Sequence, residues 1–346
     1  MSALPPLLLR ADAGGTLGSG HVMRTVALGE AWVDAGGACV LASSSLPPAL
    51  EQRIAETRGF LVQRIEAQAW SGADAEAVAA LAAQFAAPVV AADSYLYDAP
   101  YLSALQARGL RVAAIDDLAR LPAYPCDVLV NPNLDGAETL YLGKADGARR
   151  LLGSRYVMLR REFAIHRSSV RSIAPRARRL LVTFGGVDPK NGGAVALEAL
   201  ASLSDIEVDF VIGAANASGD DLAARAAGLP HVRVVRDARD MAARIMDCEM
   251  ILSAGGTTVW EAAALGAPMM LAAAAPEEAQ AAARLAKGGL GVFLGEIEAL
   301  TPARLAMSID DFAHDMAARA RSSVLGRELV DGFGAERVVE AIRGLL

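Results

Sequence analysis

The sequence predicts an α/β protein made of two doubly wound, Rossmann-like domains that face each other across a cleft. Three observations carry this. Short apolar runs alternate with helical segments, and the alternation starts twice. A basic stretch without apolar periodicity separates the two series. Many of the apolar runs end in polar or glycine-rich turns, which is where open α/β sheets receive ligands.

In the first series, residues 7–9, 39–42, 89–92, 112–115 and 128–130 read as buried parallel strands, because each is a continuous apolar run. They lead into Arg10, Asp93, Asp116 and Asp117, and Asn131 and Asn133. Asp and Asn at such places either start turns and cap helices or line a cleft, and the whole set favours a cleft. The basic stretch 167–179 holds Arg167, Arg171, Arg176, Arg178 and Arg179 around Pro175. It reads as an interdomain linker with a solvated face. The expected division is 1–170 and 171–346. The second series has strands at 180–184, 208–212, 232–235, 250–253 and 269–271, and helices at 193–203, 258–265 and 277–287.

With 346 residues, the chain has room for two domains of about 150 residues each. It is 53% hydrophobic and 21% charged, which suits packed cores. The longest apolar run, 267–275, falls well short of the ~20 residues that span a bilayer. The N-terminus lacks the pattern of a signal peptide. The three cysteines have no CxxC pair, so neither a disulfide framework nor a zinc site is expected, and the cytoplasm is the expected compartment. A net charge of −7 argues against nucleic acid as a partner.

Gly18-Ser19-Gly20-His21 is the most informative stretch. It follows Arg10 and Asp12 at the end of the first strand and opens a helix that carries Arg24. Glycines let the backbone approach a ligand, and the helix start presents free N–H groups. His21 and Arg24, three residues apart, share a helix face. A base beside a cation suits activation of water next to an anionic leaving group. The plainer alternative is a tight turn with a helix-start hydrogen bonder. Two further turns follow strands: Phe184-Gly185-Gly186-Val187-Asp188-Pro189, and Ser253-Ala254-Gly255-Gly256-Thr257-Thr258 before a helix carrying Glu261. Both resemble anion-binding turns, and neither is a P-loop or a dinucleotide fingerprint. Glu261 could take both hydroxyls of a ribose or simply favour its helix N-terminus. His166, His231 and His314 are weak catalytic candidates, and no pattern proposes a metal.

From Arg10 to about residue 288, the ordered motifs resemble the pseudaminic acid pathway hydrolases of UDP-2,4-diacetamido-2,4,6-trideoxy-β-L-altropyranose, the PseG family. The resemblance rests on Arg10-x-Asp12, Gly18-x-Gly20-His21-x-x-Arg24, Asp93-Ser94-Tyr95, Asp116-Asp117 and Cys126-Asp127. It continues with Asn131-Pro132-Asn133, Tyr156, Arg161-Glu162-Phe163, Phe184-Gly185-Gly186-x-Asp188-Pro189, Ser253-Ala254-Gly255-Gly256-Thr257 and Glu261. It implies a GT-B fold like that of the MurG glycosyltransferase, with UDP held mainly by the C-terminal domain. His21 is then the base, Tyr95 lies at the sugar, water is the acceptor, and no metal or cofactor is needed. The family has an Asn-Gln pair where this chain has Glu277 and Glu278. Two carboxylates there repel a diphosphate unless they are paired or turned away.

The expected function is therefore inverting hydrolysis of a UDP-sugar by a monomer acting away from membranes. The alternatives are a GT-B glycosyltransferase with a UDP-sugar donor, or a nucleotide-sugar-binding protein without catalysis. The residues expected to meet substrate are Arg10, Asp12, Gly20, Arg24, Tyr95, Asn131, Gly185, Gly186, Asp188, Gly255, Gly256, Thr257, Glu261, Glu277 and Glu278.

Overall fold

The computed structural model describes residues 4–14, 18–133 and 138–346, and the side chain of Glu277 lies outside this description. The chain forms two compact units: Met1–Ala164 with Gly332–Leu346, and Ile165–Asp331.

The first unit holds strands β1 (Leu7–Ala11), β2 (Cys39–Ser43), β3 (Phe60–Arg64), β4 (Val89–Asp93), β5 (Arg111–Ile115), β6 (Val128–Asn131) and β7 (Arg149–Leu152). Helices α1 (Gly20–Asp34), α2 (Pro48–Ala55), α3 (Gly72–Gln84), α4 (Ala99–Ala107) and α5 (Arg161–Ala164) connect or follow them. The sheet order is β3-β2-β1-β4-β5-β6-β7, with every pairing parallel. β1, β2 and β4 are buried along their whole length, which is why they read as unbroken apolar runs. The connections leave in opposite directions from β1, so the switch point of this sheet lies between β1 and β4.

The second unit holds β8 (Arg179–Thr183), β9 (Glu207–Ile212), β10 (Val232–Arg236), β11 (Met250–Ser253), β12 (Met269–Ala273) and β13 (Val292–Glu296). Its helices are α6 (Gly192–Leu200), α7 (Gly219–Ala226), α8 (Met241–Asp247), α9 (Thr258–Ala264), α10 (Pro276–Lys287), α11 (Pro302–His314) and α12 (Met316–Leu329). The order β10-β9-β8-β11-β12-β13 is again all parallel, with its switch point between β8 and β11.

Two expectations change. The last helix, α13 (Gly334–Arg343), was assigned with 171–346 to the second domain, yet it packs in the core of the first unit. Val338, Val339 and Ile342 share that core with Val22, Val26 and Trp32 of α1. Gly334 makes the approach possible, since a Cβ there would stand 2.1 Å from the Val157 carbonyl oxygen. The basic stretch 167–179 is solvated only in part: Arg167, Arg178 and Arg179 are exposed, whereas Arg171 and Arg176 are partly buried. Arg319 is fully buried and donates to the Ala174 and Pro175 carbonyls at 2.9 and 3.0 Å. Arg171 caps the ends of other segments through the Ile245 and Cys248 carbonyls. Cys39, Cys126 and Cys248 are buried free thiols. No helix among the described residues is long and apolar enough to cross a membrane.

Candidate functional site

In the first unit, the site grows from the strand ends at the switch point. β1 and β4 run side by side with Ala11 opposite Asp93, and β5 continues the row with Ile115 opposite Asp93. The segments leaving these strands therefore emerge together. After β1, Gly18 adopts φ +48° and Ser19 caps α1 without a side-chain hydrogen bond. Gly20 and His21 then form the first turn of α1.

His21 Nδ1 lies 2.7 Å from Asp93 Oδ1, and Asp93 is fully buried. A carboxylate only accepts, so Nδ1 carries a proton toward Asp93, which leaves Nε2 as the nitrogen turned to other chemistry. Burial alone would raise the Asp93 carboxyl, but Arg24 and His21 outweigh it and hold it below the ordinary range. Arg24 Nε donates to Asp93 Oδ2 at 2.8 Å, and Nη2 donates to Oδ1 at 2.7 Å. The same guanidinium donates to Asp117 at 2.7 and 3.0 Å. Asp117 also accepts from Asn133 Nδ2 at 2.9 Å. The Tyr95 ring meets the His21 ring edge-on, with centroids 4.4 Å apart. Burial and the Asp117 charge push the Tyr95 phenol above its ordinary range, so it serves as a donor.

Several expected substrate contacts are engaged inside the protein. Arg24 was expected to offer its charge to an anionic leaving group. Instead, Nε and both terminal nitrogens are bound by Asp93 and Asp117, which makes it a clamp between two carboxylates. Arg10 is fully buried, lies over the Trp70 ring at 4.2 Å, and donates to Asp74 and Asp12. It ties β1 to α3. Asp12 uses Oδ1 for Arg10 and the Ser44 and Ser45 N–H groups, while its buried Oδ2 has no partner among the described residues. Asn131 is also internal. It donates to the Tyr141 hydroxyl at 2.7 Å and accepts from the Asn133 N–H at 3.0 Å.

In the second unit, both glycine turns lie at the switch point, one after β8 and one after β11. Gly185 takes φ +78°, and the Gly186 carbonyl accepts from Ala215 N–H at 3.1 Å. Gly213 must be glycine for this packing, since a Cβ would stand 2.4 Å from the Gly185 oxygen. Asp188 binds the start of α6: its two oxygens accept from Gly192 and Gly193 N–H at 2.7 and 2.8 Å. It thereby occupies the N–H groups at the start of α6.

Gly255 packs tightly on Glu278, whereas the space beside Gly256 is open. Thr257 caps α9, and Glu261 sits half-buried in that helix's first turn. Glu278 Oε2 accepts from Ala274 N–H at 2.9 Å, so one of its oxygens is turned back onto the start of its own helix. Glu277 was expected beside it, but its side chain lies outside the described residues.

Asp93, Asp117 and Asn133 complete the histidine site although none was assigned to it from the sequence. The signal was present, since the three stand at the ends of the consecutive neighbouring strands β4, β5 and β6. His231 and His314 bond the Leu200 and Asp310 carbonyls, away from this cluster.

No protein-family profile matches the chain. The spore coat polysaccharide biosynthesis protein SpsG of Bacillus subtilis is 26% identical over 196 residues. That match covers 56% of this chain and 58% of SpsG, so a little over half of the relative's length is spanned. Among solved structures, MurG of Acinetobacter baumannii superposes with a TM-score of 0.65 at 14% identity, covering 99% of this chain and 100% of that one. The calicheamicin glycosyltransferase CalG4 gives 0.64 at 15% identity, covering 99% and 98%. MnaA of S. aureus, solved with UDP, gives 0.68 at 10% identity, covering 99% and 97%. Likeness at this identity establishes the fold alone. The chain has two parallel-sheet α/β domains, and its neighbours have the GT-B fold that the motif resemblance implies.

Proposed function

We propose that this chain is a GT-B enzyme that uses a UDP-sugar and breaks the bond between its anomeric carbon and UDP. The observation that carries this reading is the His21–Asp93 pair, 2.7 Å apart at the switch point of the first unit. An imidazole held with Nδ1–H on a carboxylate is set to take a proton through Nε2. The nucleophile is then a hydroxyl deprotonated by His21 as it attacks the anomeric carbon. The proton goes to Nε2, and the C–O electron pair leaves with UDP. Use of UDP is supported by the MnaA complex and by the resemblance. In this reading the first unit supplies the base and the second holds the nucleotide, through Gly185, Gly186, Gly256, Thr257 and Glu261. Arg24 is committed to Asp93 and Asp117. The leaving charge is therefore met by backbone N–H groups of the glycine turns.

The likeness to CalG4, a calicheamicin glycosyltransferase, supports a reading as transfer to an acceptor. A second reading, hydrolysis of a UDP-diacetamido-trideoxy sugar, is favoured by the ordered motif set from Arg10 to Glu261. UDP release from a panel of UDP-sugars, with and without a soluble saccharide acceptor, separates the two. Release that needs the acceptor supports transfer, and release in water alone supports hydrolysis. No UDP binding by calorimetry and no release from any of the sugars would overturn both.

A further inference from the structure

We infer that Asp117 is a positioning residue for the His21 site: it neutralises Arg24, so that Asp93 keeps its full charge for the imidazolium formed when His21 takes a proton. The inference rests on the reading of His21 as the base.

Two carboxylates share one guanidinium. Arg24 donates twice to Asp93 and twice to Asp117, with side chains only 10% and 11% exposed for Arg24 and Asp117 and 0% for Asp93. A single Arg24–Asp93 pair would be electrically closed and would offer little to a second cation. With Asp117 included, the cluster carries one net negative charge, and a proton on His21 brings it to zero. Among side chains this buried, such balance decides which protonation state the cluster favours.

The geometry also holds both walls of the histidine. Asp117 fixes Arg24, which fixes both oxygens of Asp93, and Asp93 orients Nδ1. On the other side, the Tyr95 ring rests edge-on against the His21 ring, and burial, helped by the nearby Asp117 charge, keeps its phenol above the ordinary range. Asn133 Nδ2 holds Asp117 itself at 2.9 Å. Among the described residues, the ionisable groups that meet His21 or its partners are Asp93 at the end of β4, Arg24 on α1, Tyr95 beyond β4 and Asp117 beyond β5.

The test is an NMR titration of the His21 ring in the full chain, parent against Asp117→Asn and Asp117→Glu. His21→Gln identifies the His21 signals among the four histidines. The expected result is that Asp117→Asn moves the His21 midpoint to lower pH, because Arg24 is left partly uncompensated beside the ring. Asp117→Glu should restore it. Where turnover is measurable, Asp117→Asn should lower kcat about tenfold near neutrality, leave KM within about twofold, and shift the acid limb of the profile with the midpoint. A midpoint that stays in place or rises in a folded Asp117→Asn protein overturns the inference, as does a loss of kcat that merely follows the folded fraction. The titration needs no substrate. Absence of UDP-sugar turnover by the parent would therefore sink the proposed function while still leaving this result readable.

Discussion

Replacing His21 with alanine is expected to lower UDP-sugar turnover by about two to four powers of ten, the range lost when a general base is removed. UDP binding, measured by calorimetry, should be largely retained, because the nucleotide is assigned to the second unit. The asymmetry is diagnostic. A residue that only held phosphate would weaken binding and leave the chemical step alone. Turnover within a fewfold of the parent would remove His21 from the mechanism. The fold should survive, since His21 lies at the start of a 15-residue helix whose packing rests on Val22, Val26, Leu28 and Trp32.

Asp93→Asn is expected to cost nearly as much. The amide keeps the shape of the carboxylate but can present an N–H to His21 Nδ1. The ring then favours the tautomer with its proton on Nε2, where no base is left. A loss of about two to four powers of ten in kcat is expected, with little change in KM.

Stability should change with a defined pH dependence. In the parent, burial would raise the Asp93 carboxyl, but Arg24 and His21 hold it below its unfolded value of about 3.9. A depressed folded-state pKa contributes stability that is fully present above that unfolded value. It is lost as the pH falls through the folded value. The parent should therefore exceed Asp93→Asn in urea midpoint at pH 7, and the gap should close on acidification below about pH 4. A gap that stays constant with pH would mean that the carboxylate charge is not what holds this cluster together.

The central strands were legible in the sequence because β1, β2 and β4 are buried on both faces and so read as unbroken apolar runs. The edge strands β3, β7 and β13 were not, because most of their residues are only partly buried or exposed and no continuous apolar run marks them; β10, also at an edge, was read from its valines. The return of α13 to the first unit was invisible for a different reason. An amphipathic helix announces that it packs, but not against which of two similar sheets.

At the site, the positions of His21, Gly185-Gly186 and Gly255-Gly256 followed from strand-to-helix turns and sheet order. The roles of the charged residues did not follow. Arg10, Arg24 and Asp188 were expected to face a ligand, as cations and acids after strands often do. Their partners prove to be protein groups, and for Arg24 one of these lies 93 residues away. A residue type states what a side chain can bind. Only the fold states whether that need is already met. Asp93 and Asp117 show the converse, since strand-end carboxylates that could have been mere turn formers assemble the histidine site.

The most direct test of the account is the configuration of the first product formed from a UDP-sugar, followed by proton NMR from the moment of mixing. In the proposed mechanism a hydroxyl deprotonated by His21 attacks the anomeric carbon from the face opposite UDP, in a single displacement. The account predicts inversion, seen as build-up of the opposite anomer before any mutarotation. A first product that retains the configuration of the donor would contradict it, because one base-assisted displacement cannot give retention.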